Sequence, residues 1–92
     1  MLTVTRGRLA GKTLPVGAGP FSIGAGAACT LQLDGEGVSQ QHACIKVQEG
    51  VVILEDLDSI SGLHLNGQQV RRQPLKPGDV IRIGNNEMLV HL

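Results

Sequence analysis

Apolar and polar positions alternate with period two along most of this chain, and no window sustains the 3.6-residue period of a helix. Leu2-Thr3-Val4-Thr5 alternates, Gly7 and Gly11 punctuate, and residues 12–16 follow. This predicts an N-terminal hairpin or strand pair, broken by Gly17, Gly19 and Pro20. Residues 21–23 and 31–33 predict short strands on either side of a 24–29 loop. Asp34-Gly35-Glu36-Gly37 is turn chemistry, since glycine accepts the positive φ that tight turns demand. Next, Ala43, Ile45 and Val47 alternate with Cys44, Lys46 and Gln48, so the first set is expected to face inward. Glu49-Gly50 turns this strand back into 51–57, and Asn66-Gly67 joins 63–65 to 68–70 in a second hairpin. The 74–79 stretch predicts a loop, because Pro74 and Pro77 cannot sit inside a central strand. Residues 80–83 and 87–92 close the domain around Gly84-Asn85-Asn86. Ten to eleven short strands with turns this frequent predict an all-β sandwich whose loops gather at one apex.

Composition narrows the function. Ninety-two residues build one compact core and bury only about 60–65% of the unfolded surface. Phe21 is the single aromatic, so aliphatic side chains make the core. Eight basic and eight acidic residues balance to zero. With neither a basic footprint nor aromatic platforms, nucleic acid is not an expected partner. No apolar run approaches the ~20 residues of a membrane span, and no signal peptide opens the chain. A cytoplasmic domain without membrane contact of its own is therefore expected. The ends fall tightly around one fold, so 1–92 reads as a single domain excised from a longer protein.

Three motifs invite chemistry. Gly11-Lys12-Thr13 matches the end of a phosphate-binding loop, but Arg6 stands where that pattern needs its first glycine. Pro15 and Pro20 also follow, where the pattern requires a helix whose amides bind phosphate. A turn between strands is the better reading. Ser39 and His42 suggest a nucleophile and base, yet Gly37-Val38-Ser39-Gln40-Gln41 lacks the closing glycine of a nucleophile elbow. No enzyme is expected. Cys29 and Cys44 lack the neighbours of a zinc site and read as small buried hydrophobes, with a disulfide the lesser alternative. No metal or cofactor is expected.

Phe21 to Asn66 carries the most informative series. It holds Ile23-Gly24, Val38-Ser39-Gln40-Gln41-His42-Ala43, then Asp56, Ser59, Gly62 and Leu65-Asn66-Gly67, each landmark falling between predicted strands. In order and spacing the chain resembles the forkhead-associated (FHA) domain, from about Leu2 to Leu92. The resemblance implies an FHA-type (SMAD/FHA) β-sandwich and a non-catalytic protein or peptide partner, usually a phosphothreonine peptide. It also implies binding positions at Gly24, Ala25, Ser39, Gln40, Ser61 and Leu63. Ser39 would donate its hydroxyl to a phosphate oxygen, His42 would tie loop to loop, and Gly62 and Asn66 would be structural.

Several of these positions depart from the family pattern. Ala25 stands where the family carries an arginine whose planar fork pairs with phosphate oxygens. Ser61 stands at the family's asparagine, Leu63 at its threonine, and Gln40 where arginine or asparagine is common. A hydrogen bond to a charged group contributes roughly 1.5–3 kcal/mol. The missing arginine and asparagine contacts therefore remove on the order of 4–6 kcal/mol, about a thousandfold in affinity. Two compensations are open: an amide nest at 24–28, and Arg71 or Arg72 reaching over. The expectation is a degenerate phosphothreonine pocket serving phosphate-independent scaffolding or assembly. The alternatives are a phosphothreonine reader with a non-standard pocket, or a structural spacer or oligomer contact. Degenerate members of this kind resemble domains of bacterial secretion assemblies.

Overall fold

The computed structural model describes residues 1–16 and 20–91 and, among them, holds eleven β-strands and no helix. The strands are β1 (Leu2–Arg6), β2 (Thr13–Leu14), β3 (Phe21–Gly24), β4 (Leu31–Gln32), β5 (Ala43–Gln48) and β6 (Val51–Asp56). They continue with β7 (Leu63–Leu65), β8 (Gln68–Val70), β9 (Arg72–Pro74), β10 (Val80–Ile83) and β11 (Asn86–Val90). Two sheets form a sandwich, one in the order β2-β1-β11-β10-β7-β8 and the other β4-β3-β5-β6-β9. Neighbouring strands are antiparallel except β3 and β4, which run parallel. The break expected at Gly17 and Gly19 lies outside the described residues, as does Leu92.

Alternation along each strand builds the core. Leu2, Val4, Leu63, Ile81, Ile83 and Met88 point inward from the first sheet, and Phe21, Ile23, Ala43, Ile45 and Leu54 from the second. All are nearly or fully buried, which removes water from aliphatic surface on both inner faces. The two tight hairpins turn as the dipeptides dictate, with positive φ at Glu49 and Gly50 and at Asn66 and Gly67. The segment after β1 is a turn between strands: the Val4 amide donates to the Lys12 carbonyl and the Gly11 amide to the Val4 carbonyl.

Three expectations need correction. Val47 does not face a core; it lies next to the Glu49-Gly50 turn and is 38% exposed, because the whole hairpin tip from 47 to 51 stands in solvent. Pro74, expected to open the 74–79 loop, instead ends strand β9 (Arg72–Pro74). Pro74 is tolerated because β9 is an edge, paired only with β6. Cys29 and Cys44 are free thiols and half-buried rather than fully buried. Cys44 lies on the outer face opposite Glu55, where burial foremost, and the Glu55 carboxylate after it, push its thiol pKa up against the opposing Lys46 charge. Lys46 bonds Glu55 at 2.9 Å and, by that bond and its charge, holds the carboxyl below the usual carboxylate range.

The face assignment is testable by denaturant unfolding. Ile45→Ala is expected to cost about 2–5 kcal/mol, as a cavity in a closed core does. Val47→Thr is expected to stay within about 0.5 kcal/mol. Equal costs would mean that β5 is out of the register described.

Candidate functional site

Connections after β3, β4 and β6 converge at one end of the sandwich, and the sequence lets their backbones lie almost in contact. Gly24 ends β3 directly beneath residues 39–40. A Cβ there would stand 2.4 Å from the Gln40 carbonyl oxygen, so only glycine fits. Across this approach the Ala25 amide donates to the Ser39 carbonyl (2.9 Å) and the Gly26 amide to the Gln40 carbonyl (3.0 Å). The Cys29 thiol donates to the same Gln40 oxygen at 3.2 Å.

His42 fixes the remaining loops. Its side chain is fully buried; Nδ1 accepts the Ser39 amide at 3.1 Å and Nε2 lies 2.8 Å from the Gly62 carbonyl. An amide can only donate and a carbonyl can only accept, so the ring is neutral with its proton on Nε2. Its own amide donates to the Ile23 carbonyl, and its carbonyl accepts the Leu57 amide. One residue thus ties β3, the 33–42 connection and both ends of the 57–62 loop.

The 57–62 loop also ties itself. Asp56 Oδ1 accepts the Ser59 amide, and Ser59 Oγ accepts the Gly62 amide, both at 3.1 Å. Such bonds hold an Asx-type turn. Ser39 Oγ accepts the Ile60 amide at 3.1 Å, and the Ser61 hydroxyl donates to the Gly37 carbonyl. Each loop is therefore bonded to the next, and little remains to be ordered when a partner arrives.

The sequence-derived positions sort as follows. Ala25, Ser39, Gln40 and Ser61 come together at the apex. Gly24 is buried and serves the close backbone approach, with no surface for a ligand. Leu63 is also withdrawn: it starts β7 pointing inward and is fully buried in the core. Gly62 adopts a φ of 88°, and a Cβ there would meet Gln69 at 2.7 Å. Asn66 lies at the other end of β7, where Oδ1 accepts the Val80 amide and Nδ2 donates to Asp79 Oδ1. Of the amides in the 24–28 loop, those of Ala25 and Gly26 are bonded to residues 39–40, and the Cys29 amide that follows is bonded to Gly26.

No cation stands among the four apical positions. Arg71 reaches the rim, where it lies 3.5 Å from Asp58, with both side chains more than four-fifths exposed. Arg72 turns the other way and donates to Gln48 at 2.7 Å. Sequence reasoning passed over Ile60. It stands at the tip between Ser59 and Ser61, 93% exposed, its amide held by Ser39. An isoleucine inside a serine-rich turn was the available signal. Between the 24–29 loop and residues 40–41 a shallow cleft of about 350 Å³ is lined by Ala27, Ala28, Cys29, Gln40, Gln41 and Leu57. Among the described residues no group of three or more His, Cys, Asp or Glu side chains is placed to hold a metal, and no helix is long and apolar enough to cross a membrane.

Comparison with known proteins agrees with this geometry. The sequence model of the FHA domain matches residues 21–84. The FHA domain-containing protein FhaA of Mycobacterium tuberculosis is 35% identical over 82 residues, 89% of this chain but 16% of that protein. Its FHA domain, solved in complex with the intracellular domain of Rv3910, superposes with a TM-score of 0.85 at 32% identity, covering 97% of this chain and 98% of that one. The oxoglutarate dehydrogenase inhibitor of Corynebacterium efficiens is 31% identical over 84 residues, 91% of this chain and 59% of that protein. A domain solved in work on phosphothreonine-dependent FHA interactions superposes with a TM-score of 0.88 at 33% identity, covering 99% and 95% of the two chains. The chain thus spans less than two thirds of the length of either curated relative, 16% of one and 59% of the other.

His42 gives the sharpest test of the site. His42→Ala leaves the Ser39 amide and the Gly62 carbonyl buried without partners, at about 1–3 kcal/mol each. Thermal unfolding is expected to fall by on the order of 10 °C or more, with the largest amide shifts at Ser39 and Gly62. A change under about 2 °C would show that the loops hold without the ring.

Proposed function

This chain belongs to the FHA domain family, and we propose that it is a non-catalytic protein–protein interaction module whose apex recognises its partner without requiring a phosphate. The observation that carries the reading is how the apical polar groups are spent. Ser39 Oγ accepts an internal amide and the Ser61 hydroxyl donates internally; Ala25 brings no donor, and the rim arginine is paired with Asp58. Among the side chains of Ala25, Ser39, Gln40 and Ser61, a phosphoryl group would meet one free hydroxyl hydrogen on Ser39 and the neutral amide of Gln40. Phosphate recognition elsewhere relies on charge-assisted and bidentate donors, roughly twice as strong as neutral ones. The loops are nonetheless as tightly bonded as a recognition surface requires, and Ile60 stands out of water's favour at their tip. A preorganised apical surface with an apolar tip suits a partner's side chains better than an anion.

The bonds among the loops explain why the surface can be kept while the ligand changes. His42, Gly24 and the 56–62 turn act on backbone groups alone and do not depend on which side chains face outward. A partner domain is in keeping with the FhaA complex, whose bound protein is an intracellular domain. The likeness to a phosphothreonine-dependent domain favours the other reading, a phosphothreonine reader with a non-standard pocket.

Calorimetric titration separates the two. With a degenerate phosphothreonine peptide library the native chain is expected to give no saturation at micromolar peptide, whereas Ala25→Arg with Ser61→Asn is expected to gain binding. Leu63 is left unchanged, because threonine there would put a hydroxyl into the core. A partner captured with the native domain is expected to survive phosphatase treatment and to be lost with Ile60→Asp. Micromolar saturation of the native chain, or loss of the partner on phosphatase treatment, overturns the reading.

A further inference from the structure

On the outer face of the first sheet, one residue below the apical loop, a row of side chains crosses the strands. His64 of β7 pairs with Arg82 of β10, and Arg82 in turn with Glu87 of β11. Cross-strand partners on one face stand within side-chain reach of each other. Glu87 is already bonded to Arg6 of β1 at 3.1 Å. Among the described residues, that leaves the exposed Arg82 guanidinium with no ion-pair partner. Gln69, opposite His64 on β8, adds no charge.

Arg82 and His64 form the sides of a cleft of about 240 Å³ whose other walls are Ser61, Gly62 and Gly84. The cleft opens beside Ser61, so it continues the apical surface onto the sheet. Its glycine walls keep backbone close and side chains out. At Gly84 a Cβ would stand 3.0 Å from the Glu36 carbonyl oxygen. A planar guanidinium with an imidazole beside it offers several donors and no carboxylate of its own, which is the chemistry that takes an oxyanion.

We propose that this cleft is an oxyanion subsite, in which Arg82 with His64 receives a phosphoryl or carboxylate side chain of a bound peptide that also touches Ser61. The inference rests on the reading of the apex as the recognition surface, and adds to it a cation that the apex lacks. The charged groups at the neighbouring strand positions are Glu87, opposite Arg82 on β11, and Arg6, bonded to Glu87 from β1; behind Gly84 lies the Glu36 backbone carbonyl. With Glu87 shared to Arg6, the row carries a net positive charge before His64 is counted.

The test is an amide chemical-shift titration of the whole 92-residue chain. The two probes are N-acetyl-phosphothreonine N-methylamide and N-acetyl-glutamate N-methylamide. Saturating shifts are expected at Ser61, Gly62, His64, Arg82 and Gly84. They should weaken about tenfold in Arg82→Gln, by less in Arg82→Lys, and on raising the salt from about 0.05 to 0.5 M. Shifts with the phosphorylated probe alone identify the source as phosphoryl; shifts with both identify a general anion subsite. Thermal unfolding of Arg82→Gln is expected to match the native chain, since the side chain is exposed. No shift at these residues, or shifts unchanged by Arg82→Gln, overturns the subsite and leaves the apical reading standing. Shifts centred on Ala25, Ser39 and Gln40 overturn both.

Discussion

A single buried imidazole holds the recognition end of this domain together. His42 accepts one loop's amide and donates to another loop's carbonyl, while its backbone bonds β3 and the start of the 57–62 loop. A histidine suits this place because its two ring nitrogens point apart and differ in character, one accepting and one donating. No smaller polar side chain spans the gap with both roles. Burial raises what the ring contributes, since neither partner has water to fall back on. The fold beneath it, two aliphatic sheets with one aromatic, supplies a rigid base.

Gly24 extends the same logic. With no Cβ in the way, residues 39–40 settle onto β3, and two backbone bonds close the gap. The consequence runs through to function. The Ala25 and Gly26 amides are already bonded to the carbonyls of residues 39–40, the Ile60 and Gly62 amides to serine hydroxyl oxygens, and the Ser61 hydroxyl to the Gly37 carbonyl. The apex is ordered in advance and poor in free donors. Under the reading proposed above, such a surface favours shape and apolar contact over anion capture. The 93% exposed Ile60 is the side chain it presents most prominently.

Much of this was legible from the residues. Alternation gave the sandwich, and Glu49-Gly50 and Asn66-Gly67 gave their turns because only a few residues tolerate two successive positive φ values. Pro74 hid β9, since proline excludes a central strand while permitting an edge, and the chain alone does not reveal which a strand is. Val47 failed because alternation reports a face, not whether that face is covered at a hairpin tip. The site was read less fully. That position 25 carries an uncharged alanine is visible in the letters themselves. That Leu63 points inward, and that the Ala25 and Gly26 amides are bonded to residues 39–40, depends on distances across loops remote in sequence, which no local pattern encodes.

The claim that the apical loops are bonded to one another before any partner arrives is tested most directly by amide hydrogen exchange on the free chain. The account predicts that the Ala25, Gly26, Ser39, Ile60 and Gly62 amides exchange slowly, with protection approaching that of core amides such as Ile45. Exchange of these five at unprotected rates, with β5 and β6 still protected, would contradict it. The loops would then be loose and their donors free for an anion.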